Sequence, residues 1–236
     1  MVATAERAPS RRERALATRR RVLRAAYALF ASGGYAATTM EDIAREAGVA
    51  VQTLYFTFRT KGALFGETVG AAIVGFERWD PRAALTGEAR AALAAHHSFF
   101  PAFEGAPTQS AALVVLVDGT LEVFARVGPL ADAMGAAAAT DDDVRRIRRM
   151  GEQRRAESYR ELVARLEARG GLREGLTVRT AADVLFALLS LETWQALRVH
   201  RRWSRARARA WLLEAIAQQL LPPEPRRRGP PPARSR

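Results

Sequence analysis

The chain has 236 residues, 48% of them hydrophobic, with a formal charge of +12 and no cysteine. That length and apolar content allow one large domain, or a small one with a medium one, and exclude a disordered chain. Missing cysteine excludes a disulfide framework and thiolate chemistry, while the basic balance points to a polyanionic partner, nucleic acid first and an anionic membrane surface second. The N-terminus carries no apolar h-region and no stretch approaches 18 uninterrupted apolar residues, so a cytoplasmic protein with no membrane partner is expected.

Residues 1–13 are polar and Arg-rich and read as a mobile basic arm. From Arg14 the pattern becomes helical, with Val22, Leu23, Ala26, Leu29 and Phe30 on one stripe and Gly33-Gly34 at its end. Met40, Ile43, Ala44 and Ala47 fall at offsets of zero, three, four and seven, one apolar face of a short helix. Its start fits a capping box in two registers, Thr38 with Glu41 or Thr39 with Asp42. Gly48 supplies a tight turn, and a second short helix is predicted over about Ala50 to Phe56, with Val49, Leu54 and Phe58 facing inward. This is the spacing of a helix-turn-helix. Ala26, Phe30, Ile43, Ala47, Leu54, Phe58 and Leu64 should form one small core.

At these residues the chain resembles the TetR family of one-component bacterial transcription regulators. The resemblance runs without a gap from Thr39 through Ile43-Ala44, Ala47-Gly48-Val49, Thr53-Leu54-Tyr55, Phe58 and Lys61 to Ala63-Leu64. Lys61, the only lysine of the chain, stands where the family places a lysine at the start of its fourth helix. The pattern departs at Ala50, where a Ser or Thr cap is common, at Phe56, where a polar or basic residue is common, and at Gly62, where a Glu is common. Ala50 weakens the helix start, and Phe56 either packs on its own domain or touches a thymine methyl. The resemblance implies an all-α chain with a helix-turn-helix domain over 14–65 and a larger ligand-binding and dimerisation domain over 66–221, while the low-complexity, Pro-rich and basic composition of 222–236 predicts a disordered tail.

Double-stranded operator DNA is the implied partner, contacted through Thr39, Ala50, Val51, Gln52, Thr53, Tyr55, Phe56 and Lys61. Gln52 faces away from Leu54 and Phe58 and can reach a base edge, whereas Thr39, Thr53, Tyr55 and Lys61 offer donors suited to phosphate.

The fourth helix should run from Lys61 towards Trp79 and stop at Asp80-Pro81. Beyond it, long apolar helices are predicted at about Glu88 to Phe100, Ser110 to Arg126, Pro129 to Ala138, Asp141 to Arg169, Thr180 to His200 and Arg205 to Leu221. Thr140 followed by three aspartates marks the start of one, and Gly170-Gly171 its end. In the family the last two long helices form a four-helix bundle with a second copy. Leu185, Leu188, Leu189, Trp194, Trp211, Leu212, Ile216 and Leu220 are the corresponding homodimer interface. Phe76, Trp79, Phe99, Phe100, Phe103, Phe124, Met134, Met150, Tyr159 and Phe186 are candidates to line a pocket for an apolar effector, about half of them as true lining and the rest as core.

The histidines, His96, His97 and His200, lack metal-ligand spacing, Asp141 to Asp143 read as a solvated helix cap, and no phosphate-loop, dinucleotide or nucleophile-elbow motif is present. No catalytic residue, metal or cofactor is therefore expected. The reading is an effector-responsive regulator, most often a repressor in this family, whose fourth helix repositions the DNA-reading heads. The alternative is a sequence-independent nucleic-acid-binding protein that uses the basic tails.

Overall fold

The computed structural model describes residues 10–81 and 98–223, and no strand occurs among them. Ser10 opens the first helix, α1 (Arg11–Ala37), through a reciprocal box in which its hydroxyl accepts from the Glu13 N–H and the Glu13 carboxylate accepts from the Ser10 N–H. The helix thus begins three residues earlier than predicted, inside the stretch read as an arm, because the Ser-x-x-Glu signal satisfies two free donors at once. Val22, Leu23, Ala26 and Phe30 are buried as expected, and the helical run is interrupted at Gly34.

Three short helices follow. α2 (Met40–Ala47) is capped by Thr39 with Asp42, while Thr38 is buried and donates to the carbonyl of Gly34 at 2.7 Å. Gly48, at φ 62, makes the turn into α3 (Val51–Phe58), whose N-cap Ala50 makes no side-chain hydrogen bond, the weak start foreseen at that position. Thr60 caps α4 (Lys61–Val74), and this helix stops five residues short of Trp79. Gly75 ends it at φ 99, a conformation closed to most side chains, so the turn precedes Asp80-Pro81.

After the interval 82–97, α5 (Phe100–Glu104) leads to α6 (Gln109–Val127), a 3₁₀ turn (Gly128–Leu130) and α7 (Ala131–Thr140). The helix expected over Glu88 to Phe100, with His96 and His97, lies almost wholly outside the described residues, and so do residues 1–9 of the arm and 224–236 of the tail. Asp141, rather than Thr140, caps α8 (Asp142–Gly170), its Oδ1 accepting from the N–H groups of Asp143 and Val144. The predicted helix from Thr180 to His200 is two: α9 (Val178–Leu188) ends at Leu189, and Ser190 recaps α10 (Leu191–Gln195), which runs on into a π-helical turn (Ala196–His200). Last comes α11 (Arg205–Leu220).

Two cores hold these helices. The first joins α1 to α4 with Trp79, Val127, Leu130, Ala133, Ala137 and Val144, so the small core expected for residues 14–65 is continuous with α7 and the start of α8. The second packs α9 and α11 on α6, α5 and the distal half of α8, around Phe103, Leu116, Leu166, Leu185 and Leu212. Leu191 touches both. Leu185, Leu189, Trp194, Leu212, Ile216 and Leu220, assigned from sequence to a dimer interface, are buried within this one chain. Their helical periodicity is satisfied by α6 and α8, a partner that sequence pattern cannot tell from a second copy.

Candidate DNA-reading face and effector cavity

Leu54 and Phe58 anchor α3 in the first core, and this fixes which side chains face outward. Gln52 and Thr53 are exposed near its N-terminal end, Tyr55 is 47% exposed and Phe56 90%. Of the two roles weighed for Phe56, packing on its own domain is thereby removed. Val51 is half-buried against the core and Ala50 exposed at the cap. Arg59 follows α3 at φ 67 and is exposed. The sequence reading passed over it, although a cation just beyond a reading helix was visible there.

Two residues given phosphate roles are already engaged. The Thr39 hydroxyl donates to Asp42 Oδ2 at 2.6 Å, so its single proton is committed and a carboxylate stands at that helix start. This same bond, with the Thr39 N–H, holds Asp42 below the usual carboxylate range. The Lys61 ammonium donates to the carbonyls of Tyr35 at 3.0 Å and Thr38 at 3.1 Å and lies 4.3 Å from the centre of the Tyr35 ring. Two of its three protons therefore close the carbonyls at the end of α1 onto the start of α4.

The departure at Gly62 has a steric cause. A Cβ there would sit 2.8 Å from Asp141 Oδ1 and 3.0 Å from Asp143 Cβ. Gly66 and Gly70 continue the same face of α4, where Cβ atoms would meet Ile147 and the Trp79 ring. Glycines at intervals of four let α8 and Trp79 lie against α4, a signal present in the sequence but unread there.

The distal half of α4 borders a cavity of about 360 Å³. Val69, Gly70, Ile73 and Val74 of α4 face Val123, Phe124 and Val127 of α6, with Met134, Tyr159, Leu162 and Leu191 closing the other sides. Of the ten pocket candidates, Trp79, Phe99, Phe124, Met134 and Tyr159 line it. The other five sit elsewhere: Phe76 edge-on to Tyr27, Phe100 stacked with Phe103, Phe186 edge-on to Tyr159, and Met150 exposed on α8. The polar part of the lining comes from Arg78, Asp80 and Thr120, from Arg148, Glu152, Arg154, Arg155 and Ser158 of α8, and from Glu192. Burial pushes the Tyr159 phenol up, so it stays neutral and donates to the Leu189 carbonyl at 2.7 Å. Arg126 donates to the carbonyls of Ala72 and Ile73, both at 2.9 Å, and so ties α6 to the end of α4 that borders the cavity.

α3 precedes α4 at one end and a cavity borders its other end, the all-helical arrangement of a helix-turn-helix domain joined to a second helical core. Residues 22–68 match the model of bacterial regulatory proteins, tetR family, and solved structures named TetR-family transcriptional regulators share the fold of the chain. No curated protein matches it. Among solved structures it is similar to a protein described as a TetR-family transcriptional regulator from Mesorhizobium loti, at 25% identity and TM-score 0.64 over 89% of this chain and 96% of that one. NalD of Pseudomonas aeruginosa, the secondary repressor of the MexAB-OprM multidrug efflux pump, aligns at 24% identity and TM-score 0.57 over 87% and 97%. FadR of Bacillus subtilis in complex with stearoyl-CoA aligns at 16% identity and TM-score 0.61 over 83% and 96%.

Proposed function

We propose that the chain is a homodimeric repressor that leaves its operator when a small, largely apolar effector fills the cavity between α4, α6 and α8. The observation that carries this reading is α4 itself: its first residue, Lys61, holds the end of α1 beside the reading unit, and its last turns form a wall of the cavity. Ligand-bound and repressor relatives support the same reading, stearoyl-CoA being bound by FadR and NalD being a repressor. A ligand that shifts α4 shifts the reading unit, and reciprocity requires that DNA binding then weaken the ligand in equal measure.

Reading falls to Gln52, whose amide can pair with an adenine edge, and to Phe56, whose exposed ring suits a thymine methyl. Thr53, Tyr55 and Arg59 are the phosphate donors. Two copies would join through the outer faces of α9 and α11 and the turn between them, where Leu188, Val199, Trp203 and Trp211 keep apolar surface in solvent. Such a dimer would read half-sites about 34–36 Å apart. Selecting from random duplexes at rising salt tests it: enrichment of one twofold-symmetric sequence supports the regulator, and uniform loss of all duplexes supports sequence-independent binding.

A further inference from the structure

We infer that the effector is an amphiphile with one carboxylate head, and that Arg155 receives that head; the inference rests on the cavity being the effector site. Arg155, on α8, is among the lining residues, and its guanidinium lies over the face of Phe186 at 3.9 Å from the ring centre. Its Nε is enclosed, and among the described residues no acceptor reaches it. Enclosed donors are nearly always paired, so an unpaired one at the wall of a cavity marks a place where a ligand atom belongs.

The surrounding charges single this residue out. Of the other lining arginines, Arg148 is paired with Glu152 at 3.0 Å, and Arg78 and Arg154 are exposed to solvent, whereas Arg155 has an enclosed Nε. No carboxylate, Glu152 and Glu192 of the lining included, stands within ion-pair distance of Arg155 among the described residues. Stacking on Phe186 fixes the plane of the guanidinium. Its donors lie in that plane, and a planar carboxylate can take two of them in parallel. A quaternary ammonium or amine head at that place would instead meet the like charge of the guanidinium. The wall built by α4, α6 and α7 suits a hydrocarbon body: Val69, Ile73, Val123, Phe124, Val127 and Met134 offer no hydrogen bond from their side chains. At about 30 Å³ per small group, 360 Å³ holds roughly a dozen non-hydrogen atoms, the size of a medium-chain acid.

Calorimetric titration of the full chain with decanoate, decanol and decyltrimethylammonium, each below its self-association concentration, tests the assignment. Decanoate should bind at least tenfold tighter than decanol, and the ammonium most weakly. Arg155→Gln should abolish the preference for decanoate while leaving decanol affinity unchanged, which also shows that the variant keeps its cavity; Arg155→Lys should restore part of it. Equal binding of acid and alcohol, tighter binding of the ammonium, or an unchanged preference in Arg155→Gln would overturn the assignment and leave the cavity as the effector site. Binding of none of the three by the folded chain would overturn both.

Discussion

The Tyr35 hydroxyl, at the end of α1, donates to Asp141 Oδ2 at 2.5 Å and so binds the DNA-reading unit to the cap of α8, 106 positions away in sequence. Thr60, capping α4, donates to Asp143 Oδ2 at 3.2 Å beside it. Burial and the hydrogen bond to Asp141 raise the Tyr35 phenol, so it remains a donor at neutral pH. Burial alone would raise Asp141, but the Tyr35 hydroxyl, the N–H groups of Val144 and Asp143 and the charge of Lys61 outweigh it and hold the carboxyl below its ordinary range.

Tyr35→Phe should lower stability by about 1 kcal/mol, which for a chain of this size moves the melting temperature by roughly 2–4 °C. Asp141→Asn should cost a similar amount at pH 7. Because the folded-state value of Asp141 is depressed, its contribution is fully present above the unfolded carboxylate value near about 4 and is lost as pH falls through the folded value. The stability gap between wild type and Asp141→Asn should therefore close on acidification. Melting curves across pH 3 to 7, taken as about that range, check both, and a gap that widens towards acid would rule out the assigned role.

Restoring the residue common in relatives should harm this chain. Gly62→Glu would place a carboxylate and a Cβ where Asp141 and Asp143 already stand, costing about 1–3 kcal/mol from crowding, with like-charge repulsion adding to it. Adding Asp141→Ala to Gly62→Glu should recover part of the loss, since the first contact at that Cβ is then gone. Additive losses in denaturant titration would mean that the two positions do not meet.

Substitutions on the last helix separate the two fates of its apolar residues. Leu212 is fully buried in the chain, so Leu212→Glu should unfold it, whereas Trp211, 40% exposed, lies on the proposed interface. Trp211→Glu is expected to give folded monomer by sedimentation with circular dichroism unchanged. A stable Trp211→Glu dimer would move the interface to another surface.

On the selected operator, Gln52→Ala should cost about 1–3 kcal/mol per half-site and relax preference at one base position with the salt slope nearly unchanged. Phe56→Ala should lose discrimination at a thymine and leave thermal stability intact, since the ring is 90% exposed. Lys61→Ala should weaken all duplexes alike and also lower the melting temperature, because its ammonium holds two carbonyls of α1. A variant series over single-base changes and salt separates these outcomes; an equal loss on every duplex for Gln52→Ala would remove its base-reading role.

The reading unit was legible because its signals are local. Thr39 with Asp42, Gly48 and the period of Ile43, Ala47 and Leu54 each act within one or two turns. Ser10 with Glu13 was equally local and unread, which is why the first helix begins early. What required the third dimension was choice of partner: Leu212 and Ile216 look alike whether α6 or a second copy covers them. Phe124 lines the cavity while Phe103 fills the core, though both are buried aromatics, because helix rotation decides which way each ring points. Gly62 could be seen as a departure but not explained until Asp141, 79 positions later, was found against it.

Operator affinity measured with and without a saturating cavity ligand tests most directly whether α4 couples the two ends of the molecule. The ligand is to be found by thermal-shift screening of small hydrophobic acids and neutral compounds, and its seating confirmed by loss of binding in a Met134→Trp variant that narrows the cavity. Saturation should weaken operator binding at least tenfold, about 1.4 kcal/mol, with the same factor lost from ligand affinity when operator is bound. A tight ligand seated in the cavity that leaves the operator dissociation constant unchanged would contradict the coupling.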